Sequence, residues 1–151
     1  MENLEQQENA RKYFSWGVFL LSGIFLDQIF KYLFFGLVVI DKQPKYFGIK
    51  LFTNYNFAFS LPLPSQIIYS LYFVVLFGIL FYLYKKNILS TLEKTAWGLI
   101  LAGAISNIGE RIYFGYVRDF IYIFSGIFNL ADFYILFGMI VLLFQTERQN
   151  K

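Results

Sequence analysis

Two residue types are missing outright: the 151-residue chain contains no cysteine and no histidine. Without cysteine there is no disulfide framework, no iron–sulfur site and no thiol nucleophile. Without histidine, the commonest zinc ligand and the usual base of a serine or cysteine triad are gone as well. Hydrolytic chemistry would therefore fall to carboxylates or to a lysine, and neither a metal nor a cofactor is expected. Charge is also scarce. Only 15% of the residues are charged, against roughly a quarter in soluble domains. The net charge of +3 is small, and no basic patch is patterned for nucleic acid, so that partner class drops out.

What stands in their place is apolar: 58% of the residues are hydrophobic and 23% aromatic. A water-soluble protein of this length has too much surface for its volume to hide so many apolar side chains. With lipid as the solvent the difficulty disappears, and the chain reads as an integral membrane protein of one domain. Four apolar stretches are expected to span, at about Tyr13–Phe35, Gln66–Tyr84, Thr95–Ile108 and Asn129–Thr146. The expected class is thus all-α, with four transmembrane helices. A small β-rich extracytoplasmic segment should lie between the first two, where prolines 44, 62 and 64 bracket a run of aromatic and β-branched residues. Residues 1–12 read as a disordered cytoplasmic tail, 13–146 as the membrane domain and 147–151 as a second tail. With both termini inside, seven lysines and arginines fall on the inner side and five on the outer, a weak positive-inside bias.

Ionisable groups inside an apolar span are costly and mark partners or a polar cavity. Asp27 and Lys31 lie four residues apart on the first span, hence on one face. That spacing suits a self-satisfied ion pair as well as a polar site. On the third span, Gly98, Ala102 and Ser106 recur every four residues, a packing stripe. One turn further on, Asn107, Glu110 and Arg111 share a face. Asp119 and Asp132 are each flanked by bulky apolar residues, and neither is an ordinary loop carboxylate. In a continuous helix they would stand about 20 Å apart, so they can meet only if the chain reverses, most readily at Ser125–Gly126. Two carboxylates brought together in a poorly hydrated place cannot both ionise easily. One keeps the proton while the other draws a proton from water, as in aspartic peptidases.

DQIFK from Asp27, NYNFAFS from Asn54, AGAISNIGER from Ala102, GYVRDF from Gly115 and FNLADFYILFG from Phe128 follow in the order of the motifs of lipoprotein signal peptidase, or signal peptidase II. The chain resembles that family from its first span to its last. The resemblance implies a four-helix enzyme of the bacterial cytoplasmic membrane, both termini cytoplasmic and its site toward the outer face. Such an enzyme cuts the signal peptide from prolipoproteins just before a diacylglyceryl-modified cysteine. It implies Asp119 and Asp132 as the catalytic pair, with Asn54, Asn107, Arg111 and Asn129 lining the site. Asp27 and Lys31 match the family's first-helix pair. Prolipoprotein signal peptides, membrane lipid and a globomycin-type inhibitor are the implied partners, for a monomeric enzyme. Three departures stand out: Glu110 where aspartate is usual, and Asn56 and Phe57 where glycine and a small residue are usual. They motivate one rival, a catalytically inactive relative that binds lipidated peptides. A proton-coupled transporter lacks an inverted repeat, and a Ser–Lys peptidase would need a serine spaced to reach Lys31.

Overall fold

The structure, a computed structural model, describes residues 2–38, 44–55, 64–85 and 90–149. Four helices carry the chain: α1 Glu2–Leu37, α2 Ser65–Lys85, α3 Thr91–Phe114 and α4 Leu130–Gln149. Three strands form one antiparallel sheet in the order β1–β2–β3: β1 Phe47–Asn54, β2 Val117–Ile123 and β3 Gly126–Phe128. The chain is therefore mostly helical, but not all-α.

The differences from expectation have local causes. Helix α1 takes in residues 2–12, read from the sequence as a disordered tail. Its straight-chain Glu, Gln, Arg and Lys residues favour helix, and a helix already nucleated extends cheaply. Helix α4 likewise runs past the expected end of the membrane domain to Gln149. Helix α3 begins before Thr95 because Ser90 caps it. The Ser90 hydroxyl accepts from the Glu93 N–H at 3.2 Å, and Glu93 accepts from the Ser90 N–H at 2.9 Å, a reciprocal capping box. It ends at Gly115, which takes a left-handed φ of 81° and returns its N–H to the Arg111 carbonyl.

Only one strand lies between α1 and α2 among the described residues. The other two come from the connection between α3 and α4, so the β segment is not confined to the first loop as expected. Residues 117–123, VRDFIYI, are β-branched and aromatic, a pattern the two isolated aspartates had overshadowed. The expected reversal is in place, since Ile123 pairs with Gly126. At its tip Phe124 adopts a φ of 53°, a left-handed backbone that costs a non-glycine residue about 1–2 kcal/mol. Its ring packs 4.8 Å from Phe47, and its N–H reaches the Tyr46 carbonyl at 2.6 Å.

The interior and exterior have exchanged polarity. Four of the six largest fully buried side chains are Lys31, Asn129, Asp27 and Asp119, while Phe14, Leu21, Phe25, Phe77, Leu143 and Phe144 stand mostly exposed. In water such an apolar surface would aggregate; facing lipid, it is the stable arrangement. By length and composition one described helix, Phe14–Leu37, can cross a membrane, and shorter apolar runs cover Tyr69–Lys85 and Leu130–Gln145.

Helices α3 and α4 form the most extensive pairing, and glycines permit it. A Cβ on Gly138 would stand 2.6 Å from the Ala96 carbonyl oxygen, and one on Gly103 would strike the carbonyl of Ala131. Gly103→Ala should therefore lower the unfolding midpoint in detergent by an overpacking cost of about 1–3 kcal/mol, despite alanine's better helix propensity. Gly17→Ala, whose new methyl meets nothing within 4 Å, should not lower it.

Candidate active site

Strand pairing brings the first site residue into place. From Ile49↔Ile121 to Phe52↔Asp119, β1 advances three residues while β2 retreats two, so β1 carries one extra residue there. A shift of one residue turns every later side chain to the other face of the sheet. The bulge therefore sets Asn54 opposite Val117, on the face of Asp119. Its amide donates to Asp119 Oδ2 at 3.0 Å.

The second carboxylate comes from the first turn of α4. Asn129 is the residue before the helix and Asp132 its third. The Asn129 Oδ1 accepts from the Asp132 N–H at 3.0 Å, and Asp132 Oδ2 accepts from the Asn129 N–H at 3.0 Å. This is a capping box built from asparagine and aspartate. It leaves the Asn129 Nδ2 free to donate to Asp119 Oδ1 at 2.6 Å. One asparagine thus holds both acids, one by cap geometry and the other by its amide.

A second asparagine holds Asp132 from behind. Asn107 Nδ2 donates to Asp132 Oδ1 at 2.9 Å, while its Oδ1 accepts from Lys31 Nζ at 2.9 Å. Lysine can only donate and a carboxylate accepts, so this amide has one consistent orientation. Lys31 is completely buried and also contacts Asp27 at 2.7 Å and Glu110 at 3.0 Å. Asp27 in turn accepts from the Ser106 hydroxyl at 2.6 Å and from the Ala131 N–H, in the first turn of α4, at 2.9 Å. The first-helix pair is thus more than a self-contained ion pair. It ties α1 to α3 and to the helix end that bears Asp132.

Glu110 does not pair with its neighbour Arg111, as the shared helix face had suggested; it pairs with Lys31 and Arg118. Arg111 lies with its guanidinium 5.1 Å from the Tyr72 ring centre, and its carbonyl accepts from the Tyr69 hydroxyl at 2.9 Å. It joins α3 to α2. Gly98 and Ala102 of the small-residue stripe pack on α1 as expected, beside Phe19 and Gly23, whereas Ser106 hydrogen-bonds. Three participants were missed: Ser106, taken for packing alone, and Gln28 and Arg118. The Gln28 amide donates to Ser106 at 2.9 Å and accepts from Arg118 at 3.1 Å. A glutamine inside an apolar span was the available signal. Asn56 and Phe57 lie outside the described residues.

Burial, and then the nearby charge of Asp132, push Asp119 up to about 7, against the pull of the Asn129 and Asn54 amides and the more distant Lys31. At neutral pH such a carboxyl gives and takes a proton with little penalty in either direction.

Taken together, the exposed apolar helices, the polar interior and the linked acids define a membrane protein with an acid–base site, and the comparisons name its kind. Residues 19–147 match the family described as signal peptidase (SPase) II. The lipoprotein signal peptidase of Buchnera aphidicola is 37% identical over 120 residues, covering 71% of this chain and 76% of that protein. That of Chlorobaculum tepidum is 34% identical over 143 residues, covering 81% and 88%. Two bacterial membrane enzymes solved by the in meso method share the fold. Their TM-scores are 0.79 and 0.75 at 22% and 21% identity, and they cover 91% and 87% of this chain and 90% and 92% of their own. The chain belongs to the signal peptidase II family.

Asp119 also makes stability depend on pH. In the unfolded chain it titrates near 3.8. Below about pH 4 both states hold the proton. Between there and about 7 the unfolded state has released it and the folded state has not, so stability falls as pH rises and levels off above. Thermal unfolding in detergent should show this decline between pH 4 and 7, with a shallower slope in Asp119→Asn. An equal slope in that variant would contradict the assignment.

Proposed function

We infer that the chain carries the activity of its family, removing signal peptides from prolipoproteins as a membrane aspartic endopeptidase, with Asp119 and Asp132 as its catalytic pair. The observation that carries the residue assignment is the Asn129 link, which holds the two acids against each other at one helix end. In this mechanism the ionised member takes a proton from water, and the resulting hydroxide equivalent adds to the scissile carbonyl. The protonated member gives its hydrogen bond, then its proton, to the carbonyl oxygen. As the C–N bond breaks, the leaving amine receives a proton from the pair while a hydroxyl of the tetrahedral intermediate gives one back as the C=O re-forms, so the pair ends with one proton. The two acids act as one titrating unit. Asn54, Asn107 and Asn129 hold the oxygens in place, Asp27, Lys31 and Glu110 hold Asn107 and α4, and Arg111 faces the lipid headgroup or peptide.

The substrate reaches the site sideways from the bilayer, and the cut falls before the diacylglyceryl-modified cysteine. A hollow of about 240 Å3, lined by Phe30, Phe34, Ile49, Phe120, Ile121 and Leu130, borders β2 and suits an acyl chain. A non-catalytic binder of lipidated peptides would have no use for two acids sharing one buried site. Globomycin-type peptides are expected to compete for it, and the enzyme is expected to work as a monomer.

Asp119→Asn and Asp132→Asn should each lower cleavage of a lipid-modified prolipoprotein in detergent by about 10²–10⁴-fold or more, and the unlipidated precursor should be cut more slowly than the modified one. Full activity in either variant would end the assignment. The arrangement proposed in the membrane is four spans, both termini cytoplasmic, the sheet and the aspartates at the outer face. The absence of native cysteine makes it directly testable. Single cysteines replacing Arg11 and Lys85 should react with an impermeant maleimide only after the membrane is opened, and one replacing Lys50 should react in intact spheroplasts. The reverse pattern would invert the topology.

A further inference from the structure

Arg118 has no part in the chemistry above, yet it is held by Glu110 and Gln28 on two different helices. Its Nε donates to Glu110 Oε1 at 2.5 Å, its backbone N–H donates to Glu110 Oε2 at 3.0 Å, and its Nη2 reaches the Gln28 Oε1 at 3.1 Å. The guanidinium lies over the Phe114 ring, 4.9 Å from its centre. The Arg118 side chain is 14% exposed and that of Glu110 only 1%. The same Glu110 Oε2 that accepts from the Arg118 N–H also contacts Lys31 Nζ at 3.0 Å. Glu110 is thus shared between two cations, one of which leads through Asn107 to Asp132.

We propose that Arg118 is a positioning residue for the aspartate pair, completing the charge of the buried cluster around Lys31 and thereby fixing the pH range in which the pair works. The charges make the case. Asp27 and Glu110 carry two negative charges, Lys31 and Arg118 two positive ones, and the cluster is neutral. Arg111, the cation next to Glu110 in the chain, lies with its guanidinium 5.1 Å from the Tyr72 ring centre. The other groups facing the pair are Tyr72 from α2, which is neutral, and the uncharged Asn54 from β1. Without Arg118 one negative charge is left uncompensated beside Lys31. Lys31 then turns toward Glu110 at the expense of Asn107, and the field at both aspartates becomes more negative. Both acids then hold their protons to higher pH. Removing Glu110 instead leaves one excess positive charge and the opposite effect.

This inference rests on the proposed peptidase reading, and the experiment separates the two. The pH profile of kcat/KM for a lipidated prolipoprotein is measured in detergent for the wild type and four variants. Arg118→Gln should move both limbs upward on the order of one pH unit, the scale of one uncompensated charge near a buried carboxyl. Glu110→Gln should move them downward. The double variant E110Q/R118Q, neutral again, should return the profile to that of the wild type even if its maximal rate stays low. Arg118→Lys should keep the wild-type profile. A role limited to holding the fold would lower rates without shifts of opposite sign. Unmoved profiles, or shifts of the same sign in both single variants, would overturn the inference while leaving the peptidase assignment intact. An inactive wild type would overturn the peptidase assignment. If either single variant fails to accumulate, Arg118→Lys and the double variant still decide, because a displaced profile in either contradicts the charge balance.

Discussion

A lysine ammonium has three N–H donors, and in Lys31 each has one buried acceptor: a carboxylate of α1, a carboxylate of α3 and the amide oxygen of Asn107. An unpaired ammonium could not be tolerated at complete burial, and either carboxylate would be equally costly alone. The three groups are therefore mutually obligatory. Removing the lysine would strand Asp27 in the interior and leave Glu110 with Arg118 as its remaining cation. Asp27 caps the start of α4 through the Ala131 N–H, and Glu110 holds β2 through the Arg118 N–H. The helix and the strand that bear the two acids are thus both anchored to one ammonium.

Such a cluster adds little net stability, since the desolvation of several ions offsets most of their attraction. What it supplies is geometry. The apolar outer faces of the helices fit lipid in many orientations and select none. Small residues let α3 and α4 approach, but close packing alone tolerates sliding and rotation. A saturated polar network does not, because a shift of one turn would leave buried donors and acceptors without partners. The polar interior and the apolar exterior divide the work, the one fixing which faces meet and the other keeping the bundle in the bilayer.

Much of this was legible in the sequence where it depended on near neighbours. The four helical stretches, the i, i+4 relation of Asp27 and Lys31, and the turn at Ser125–Gly126 that lets Asp119 and Asp132 approach all follow from local spacing. Spacing on the third span singled out Asn107, and the resemblance supplied Asn54 and Asn129. What was not legible depends on pairs far apart in the chain. Lys31 and Asn107 are 76 residues apart, and Gln28 and Arg118 are 90 apart, distances at which spacing carries no information. The strand β2 was hidden for a different reason. Its charged residues Arg118 and Asp119 interrupt the apolar pattern, and they do so because they serve the site and not the sheet. The bulge in β1, on which the facing of Asn54 depends, leaves no mark of its own in the composition.

The choice of amides between the charges and the acids has a chemical logic. Had Lys31 touched Asp132 directly, its full charge would have favoured a fixed anion and hindered the exchange of a proton within the pair. Asn107 passes on orientation while keeping the ammonium out of contact with the acid, since its oxygen is fixed by the lysine and its N–H group then has one direction to point. The proton affinity of Asp119 is set first by burial and next by the charge of Asp132. Asn129 does the same from the other side, with a helix cap in place of a lysine as its anchor. The acids are held by neutral dipoles that are themselves held by ions and a helix end, so the site is rigid in position while its proton remains free to move.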